Sequence, residues 1–422
     1  MNSEFQPDED FARQLDEADP LRGYREQFHI PRRPDGEPVI YFCGNSLGLQ
    51  PKSARAMVEQ EMNDWADSAV DAHFKSDSAW YPYHDLFRET GARLVGALPG
   101  EVVMMNSLTV NLHFMMVSFY RPTKNRYKIL IDYPTFPSDT YAIKSQLQHH
   151  GYDARDALVI LKPRDGEHTI RAEDIERTLA DQGDQIALVM LAGVNFFTGQ
   201  LYDLEQVTRL AHQQGCTVGF DLAHAAGNVP LQLHDWGVDF AVWCSYKYLN
   251  SGPGAIAGCF VHERHGHDTD LPRFAGWWGN DPEKRFLMHL LPDFEPVRGA
   301  EGWQISNPPI LSAAPLRAAL EMFDAAGMSA LRAKSEKLTG YLQYLLSRLP
   351  ADRFEVVTPR APERRGCQLS ILMHDRPKEY HRALLDAGVV CDFREPNVVR
   401  VAPVPLYNTF HDAWRFAEAL AK

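Results

Sequence analysis

Five short apolar runs, set among helical stretches, limit what this chain can fold into more than any other feature. "YKILIDY" (127–133) precedes "SDTYAIKSQLQHHG". "QIALVMLAG" (185–193) precedes "DLEQVTRLAHQQG", a capped helical pattern closed by Gly215. "CTVGFDLA" (216–223) and "DFAVWCS" (239–245) follow, and then "GAIAGCFVH". Apolar runs with β-branched residues, alternating with helices, predict an α/β fold with a mostly parallel sheet covered on both faces. Ligands of such sheets sit beyond the carboxyl ends of the strands. After about residue 310 the pattern changes. The long helical stretches "APLRAALEMFDAAG" and "LRAKSEKLTGYLQYLLSRLP" lead to "QLSILM", a helical "KEYHRALLDAG", strand-like "VVCDF" and "VVRVA", and a last helix. This predicts a smaller α+β C-terminal domain, joined near the proline-punctuated "SNPPILSAAP". The expected division is an N-terminal arm over 1–45 that packs on the small domain, a large domain over 46–310 and the small domain over 311–422.

A chain of 422 residues, 45% hydrophobic, supplies a core for each of two such domains. The net charge of -13 argues against a nucleic-acid surface. No apolar run is long enough for a membrane span, and the acidic start "MNSEFQPDEDFARQLDEADP" is not a secretory signal. The six cysteines include no Cys-x-x-Cys pair and read as reduced thiols of a cytoplasmic protein. The expected partners are a small molecule and a second copy of the chain.

Residues able to do chemistry cluster where strands finish. Asp221 ends "TVGFD" and His224 follows it; Lys247 follows the next strand in "WCSYKYLNSGPG". "YPTFPSD" brings Phe136, Ser138 and Asp139 after the run at 127–133, and "MNSLTVN" opens a helix with Ser107 and Thr109. Taken singly, each has an ordinary reading: a solvated lysine, a capping aspartate, a structural histidine, a core phenylalanine. Taken together at one sheet edge, they supply what pyridoxal 5′-phosphate requires. That cofactor needs an amine for its Schiff base, a carboxylate opposite its ring nitrogen, an aromatic face and a helix start for its phosphate. Two other patterns do not lead to sites. "HERHGH" offers His262, His265 and His267 without a matching ligand cluster, so no metal is expected. "GNSLGLQP" lacks the strand and glycine spacing of a dinucleotide site.

"CGNSLGLQP", "TFPSDTYA", "FDLAHAAGNVPL", "WCSYKYLNSGPG", "GWWG", "SNPPI" and "VRVAPVPLYNTF" occur in this order from about residue 41 to 410. In this the chain resembles the kynureninase family, fold-type-I pyridoxal phosphate enzymes related to the class V aminotransferases. The resemblance implies hydrolysis of L-kynurenine to anthranilate and L-alanine, in tryptophan catabolism on the route to NAD biosynthesis, and leaves the 3-hydroxy substrate open. It implies that Lys247 forms the Schiff base, Asp221 faces the pyridine nitrogen, His224 lies beside the cofactor and Phe136 stacks on its ring. Ser138 and Asp139 belong to the same motif. Leu108 and Thr109 match the phosphate-binding turn, and Tyr246 a phosphate-contacting tyrosine that also takes part in proton transfer. Trp277 and Asn307 match positions that reach the cofactor of the other subunit in a homodimer with shared sites. Arg400 matches the arginine that binds the substrate α-carboxylate. Ala192 departs from relatives that carry a hydroxyl there. The nearest alternatives are an aminotransferase or a cysteine desulfurase on the same fold.

Overall fold

The computed structural model describes residues 5–422; residues 1–4 of the expected arm lie outside the described residues. Strand β1 (Ile40–Tyr41) is short. Seven strands then build one sheet: β2 (Val102–Met104), β3 (Lys128–Asp132), β4 (Leu158–Leu161), β5 (Ile186–Ala192), β6 (Thr217–Asp221), β7 (Phe240–Trp243) and β8 (Gly258–Val261). Their order is β2-β8-β7-β6-β5-β3-β4. The five strands from β7 to β4 run parallel; β8 pairs antiparallel with both β7 and β2. β6 and β7 are buried almost throughout because helices cover both faces, which is why their sequences read as continuous apolar runs. The helix Leu204–Gln213 shows the expected start: Asp203 accepts from the Gln206 N–H at 2.9 Å. Gly215 takes φ +74° just beyond its end.

The C-terminal part holds β9 (Phe354–Val356), β10 (Leu369–Met373), β11 (Val389–Val390), β12 (Asp392–Arg394) and β13 (Val398–Val401). β12-β13-β10-β9 form an antiparallel sheet. The "VVCDF" stretch, expected as one strand, is two: β11 pairs parallel with β1, and β12 joins the four-stranded sheet. Cys391 sits at the change of partner and is buried. The second core runs from Ala12 and Leu15 through Leu338, Leu342, Leu369 and Ile371 to Phe416 and Leu420. Residues near the N-terminus thus pack on the C-terminal helix Phe410–Ala421. Asp16 accepts from the Phe410 and His411 N–H groups, and Lys334 pairs with Asp19 at 2.7 Å. The helix Ile310–Ala326, expected with the small domain, buries Ala313, Leu316, Leu320 and Phe323 in the core of the large sheet instead. The chain changes course only after it, at Gly327, whose φ is +75°.

Candidate active site

β3, β5, β6 and β7 all finish at one edge. In register, Ala192 lies opposite Asp221, and Asp221 opposite Val242. Loops leaving these ends, together with the start of the helix Leu108–Phe119, enclose a cleft. Leu108, Thr109, Phe136, Ser138, Asp139, Asp221, His224, Tyr246 and Lys247 all line it, as does Ala192.

Lys247 is buried, and its Nζ lies 3.1 Å from His224 Nε2. An ammonium there can only donate, so Nε2 accepts and the ring proton falls on Nδ1. That Nδ1 is buried and has no partner. Burial, then the nearby cations Lys247, Arg400 and Arg394, hold the His224 pKa well below the usual value, so the ring is neutral. Asp221 Oδ1 accepts from the Ala223 N–H at 2.7 Å. Asp139, in the first turn of the helix Pro137–His149, crowds Asp221, and its Oδ1 is buried without a partner. Burial first, and the Asp221 charge second, push the Asp139 carboxyl well above its ordinary range. Like charges this close do not both ionise readily, and Asp139 is the one held toward its protonated form.

At the other end, Ser107 caps the helix Leu108–Phe119 without a side-chain hydrogen bond, and its first turn carries no acid. Thr109 Oγ1 and Ser138 Oγ are 3.1 Å apart beside it. Free first-turn N–H groups with two hydroxyls make an anion-binding corner. Phe136 is 37% exposed over the cleft and meets Phe196 edge to face, with ring centroids 5.3 Å apart. Lys247 Nζ is 5.6 Å from the Phe136 centroid. Burial, then Cys244, raise the Tyr246 phenol above its ordinary pKa, so it stays protonated.

The lysine loop is held from below. The Gly48 N–H donates to the Tyr246 carbonyl at 2.8 Å. A Cβ at Gly48 would stand 2.3 Å from the Lys247 carbonyl oxygen. Asn250 turns the chain with φ +56°, and Gly252 and Gly254 follow with φ +84° and +72°.

Three expected residues do not line the cleft. Arg400, on β13, is fully buried just behind Phe196: its guanidinium carbon is 5.9 Å from that ring, and Nη1 donates to the Phe196 carbonyl. Trp277 is half-buried against Trp278, and Asn307 is exposed on its loop. Trp80 donates to Glu61 at 2.7 Å and lines a second, apolar cavity of about 440 Å³ with Trp65, Ile310 and Leu311. The histidines of "HERHGH" do not meet one another, but His262, expected without a matching cluster, joins Glu101 and His234 with ligand atoms within 4.8 Å, while His265 faces Asp239. Sequence reasoning passed over Phe196, Asp392 and Gly48. Only the folded chain sets Phe196 between the cleft and Arg400 and brings Gly48 against the lysine loop.

These residues fit pyridoxal phosphate. The unpartnered His224 Nδ1 and Asp139 Oδ1, the crowded carboxylate pair and the open helix start all face one cleft that also holds a buried lysine. A protonated ring nitrogen would relieve the carboxylate pair, and a phosphate would use the open N–H groups.

Residues 40–276 match the family described as Aminotransferase class-V, and residues 331–420 match Kynureninase C-terminal domain. A kynureninase of Myxococcus xanthus is 58% identical over 416 residues, covering 99% of this chain and 97% of that one. A kynureninase of Koribacter versatilis is 55% identical over 414 residues, covering 98% and 97%. Among solved structures, a cysteine desulfurase of Escherichia coli superposes with a TM-score of 0.75 over 94% of this chain and 97% of its own, at 17% identity. A C-DES variant with glycine covalently linked to its PLP cofactor gives 0.74 over 94% and 98%, also at 17%. Identity that low speaks for the shared fold, whereas identity above one half across the whole length speaks for descent within one family. The chain belongs to the kynureninase family.

Proposed function

We propose that this chain is a pyridoxal 5′-phosphate-dependent hydrolase that cleaves the Cβ–Cγ bond of L-kynurenine, giving anthranilate and L-alanine. The observation that carries the reading is the 58% identity to a kynureninase over 99% of the chain. The cleft supports it residue by residue. The bound cofactor would supply an electron sink for charge at the substrate Cα and Cβ. Asp221 would keep the ring nitrogen protonated, with Asp139 behind it. Phe136 would cover one face of the ring. The first turn of the helix Leu108–Phe119, with Thr109, Ser138 and Tyr246, would hold the phosphate.

Lys247 would carry the cofactor until substrate displaces it, and the freed amine would then take the Cα proton. Its neighbour His224 is neutral and accepts at Nε2, so it can hold that amine in place without competing for the proton. Tyr246, kept protonated by burial, would deliver a proton at the γ-carbonyl oxygen or the leaving carbon. Such help is typically worth ~10²–10⁴-fold. Arg400 would hold the α-carboxylate through its fork. Ala192 offers no hydroxyl to the cofactor. The desulfurase alternative needs a reactive cysteine at the cleft, and none of the six lines it.

The same reading includes a homodimer in which Trp277 and Asn307 complete the partner's site. The exposed apolar residues fit that surface: Trp65 is 57% exposed and Leu311 44%, both at the rim of the second cavity, and Phe74 and Phe286 are similarly open. We place the arm at 1–45, the large domain at 46–310 and the small one at 311–422, with the helix Ile310–Ala326 docked back on the large sheet. A cytoplasmic location suits six unpaired cysteines, and among the described residues no helix is long and apolar enough to cross a membrane. Tryptophan catabolism leading to NAD biosynthesis is the setting such an activity serves.

The test is turnover with product analysis. Reconstituted enzyme given excess L-kynurenine should release anthranilate and alanine in equal amounts over many turnovers. A single stoichiometric conversion of the cofactor with a keto acid and no anthranilate would make it an aminotransferase.

A further inference from the structure

Asp392 stands between two arginines. β12 and β13 pair antiparallel, with Asp392 opposite Arg400. Arg394, two residues along β12, shares the face of Asp392. One carboxylate oxygen collects three donors: Asp392 Oδ2 accepts from Arg400 Nε at 2.6 Å, from Arg400 Nη2 and from Arg394 Nε at 3.0 Å. Arg400 Nη1 donates to the Phe196 carbonyl. A guanidinium has five N–H groups. Asp392 and Phe196 occupy three of Arg400's, so two remain, one on each terminal nitrogen. With the outer Nη1 hydrogen on Phe196, the two left over lie parallel, the pair a carboxylate accepts best.

The charges run the same way. Two guanidiniums share one carboxylate, so the group keeps one positive charge in excess next to the cleft. Burial pulls the Arg400 guanidinium down, to about 10, which leaves it cationic at neutral pH. The side chain is 1% exposed, so its position is set by these contacts and by packing on Phe196 rather than by solvent.

We propose that Asp392 is a positioning residue for the substrate α-carboxylate: it grips one edge of Arg400 and leaves two N–H groups of the guanidinium free for the ligand. The proposal rests on Arg400 being the carboxylate-binding arginine. Without Asp392 the arginine would keep its charge and lose its orientation, and a second unpaired guanidinium, Arg394, would compete for the same ligand. The loss should therefore fall on the carboxylate and spare the rest of the substrate.

The experiment compares L-kynurenine with its α-carboxamide in the holoenzyme, for the native chain, Asp392→Asn and Arg400→Lys. The readout is the acid preference, the ratio of kcat/KM for the acid to that for the amide. Asp392→Asn should lower it about tenfold or more through KM of the acid, with the amide constants within about twofold of native. Arg400→Lys should abolish it, since a lysine cannot offer the fork. Retained preference in Asp392→Asn, with preference lost in Arg400→Lys, would overturn the role of Asp392 alone. Equal weakening of both substrates would also overturn it, as a merely structural effect. Retained preference in Arg400→Lys would remove the premise about Arg400. If Asp392→Asn gives no soluble enzyme, Asp392→Glu keeps the charge and moves the carboxylate by one methylene. A several-fold drop in acid preference then supports the proposal, and an unchanged ratio overturns it.

Discussion

Asp132 ends β3 with its side chain fully buried. Oδ2 accepts from Asn195 Nδ2 at 2.8 Å and from the Tyr202 hydroxyl at 3.1 Å, while Oδ1 has no partner. Burial outweighs the two donors and raises its pKa to about 6. A carboxyl raised in the folded state favours folding while it is protonated, and that contribution disappears as the pH climbs through the folded value. Asp132→Asn cannot ionise and should not share the loss. Between pH 5 and pH 8 the native chain should therefore lose roughly 1 kcal/mol of stability relative to the variant. Paired thermal or urea unfolding at the two pH values checks this. A difference that does not move with pH would mean that Asp132 does not titrate near 6 in the folded chain. The same chemistry recurs at Asp139, where burial and a neighbouring carboxylate act together. A cationic group bound beside either carboxyl would favour its ionised form instead.

At the scale of elements, the segment 43–48 matters through contact with the lysine loop rather than through any side-chain chemistry. Gly48 lies so close to Lys247 and Asn250 that a methyl group would meet the Lys247 carbonyl and Asn250 Oδ1, each at 2.3 Å. Backbone cannot yield as a flexible side chain can. Gly48→Ala should cost ~1–3 kcal/mol of overpacking and displace the loop. The expected reading is a lower melting temperature and at least tenfold weaker cofactor binding in a fluorescence titration. Native cofactor affinity would show that the loop tolerates the shift. The sequence carried the parallel strands plainly, because burial on both faces leaves continuous apolar runs in β5, β6 and β7. The direction of β8 was not legible, since an apolar run reads alike either way. The break at Cys391 was hidden for a related reason: β11 and β12 are adjacent in sequence but belong to different sheets. Lys247, Asp221, His224 and Phe136 were legible because each ends or follows a strand that announces itself. Asp392 was not, because its tie to Arg400 comes from antiparallel register across two short strands.

At the scale of the whole molecule, the proposed homodimer would have each chain complete its partner's cleft. Trp277 and Asn307 follow β8 in loops that stay outside their own chain's cleft, and Asn307 is exposed. Trp65, Phe74, Phe286, Leu290 and Leu311 are each more than 40% exposed. A two-fold dimer with a self-complementary interface would cover that surface and bring both loops to the partner's cofactor. The arrangement predicts complementation between dead chains. Lys247→Ala removes the amine from its own cleft but still presents Asn307 to the partner. Asn307→Ala keeps its lysine and fails the partner. Mixed under subunit exchange at equal amounts, half of the dimers are hybrids by random pairing. Each hybrid holds one cleft with both residues and one with neither. Activity should return to roughly a quarter of the native level, because half of the dimers carry one working cleft in two. The measurement is anthranilate release before and after exchange, with hybrid formation followed by native mass spectrometry. Hybrids that form and stay inactive would mean that each chain builds its cleft from its own loops.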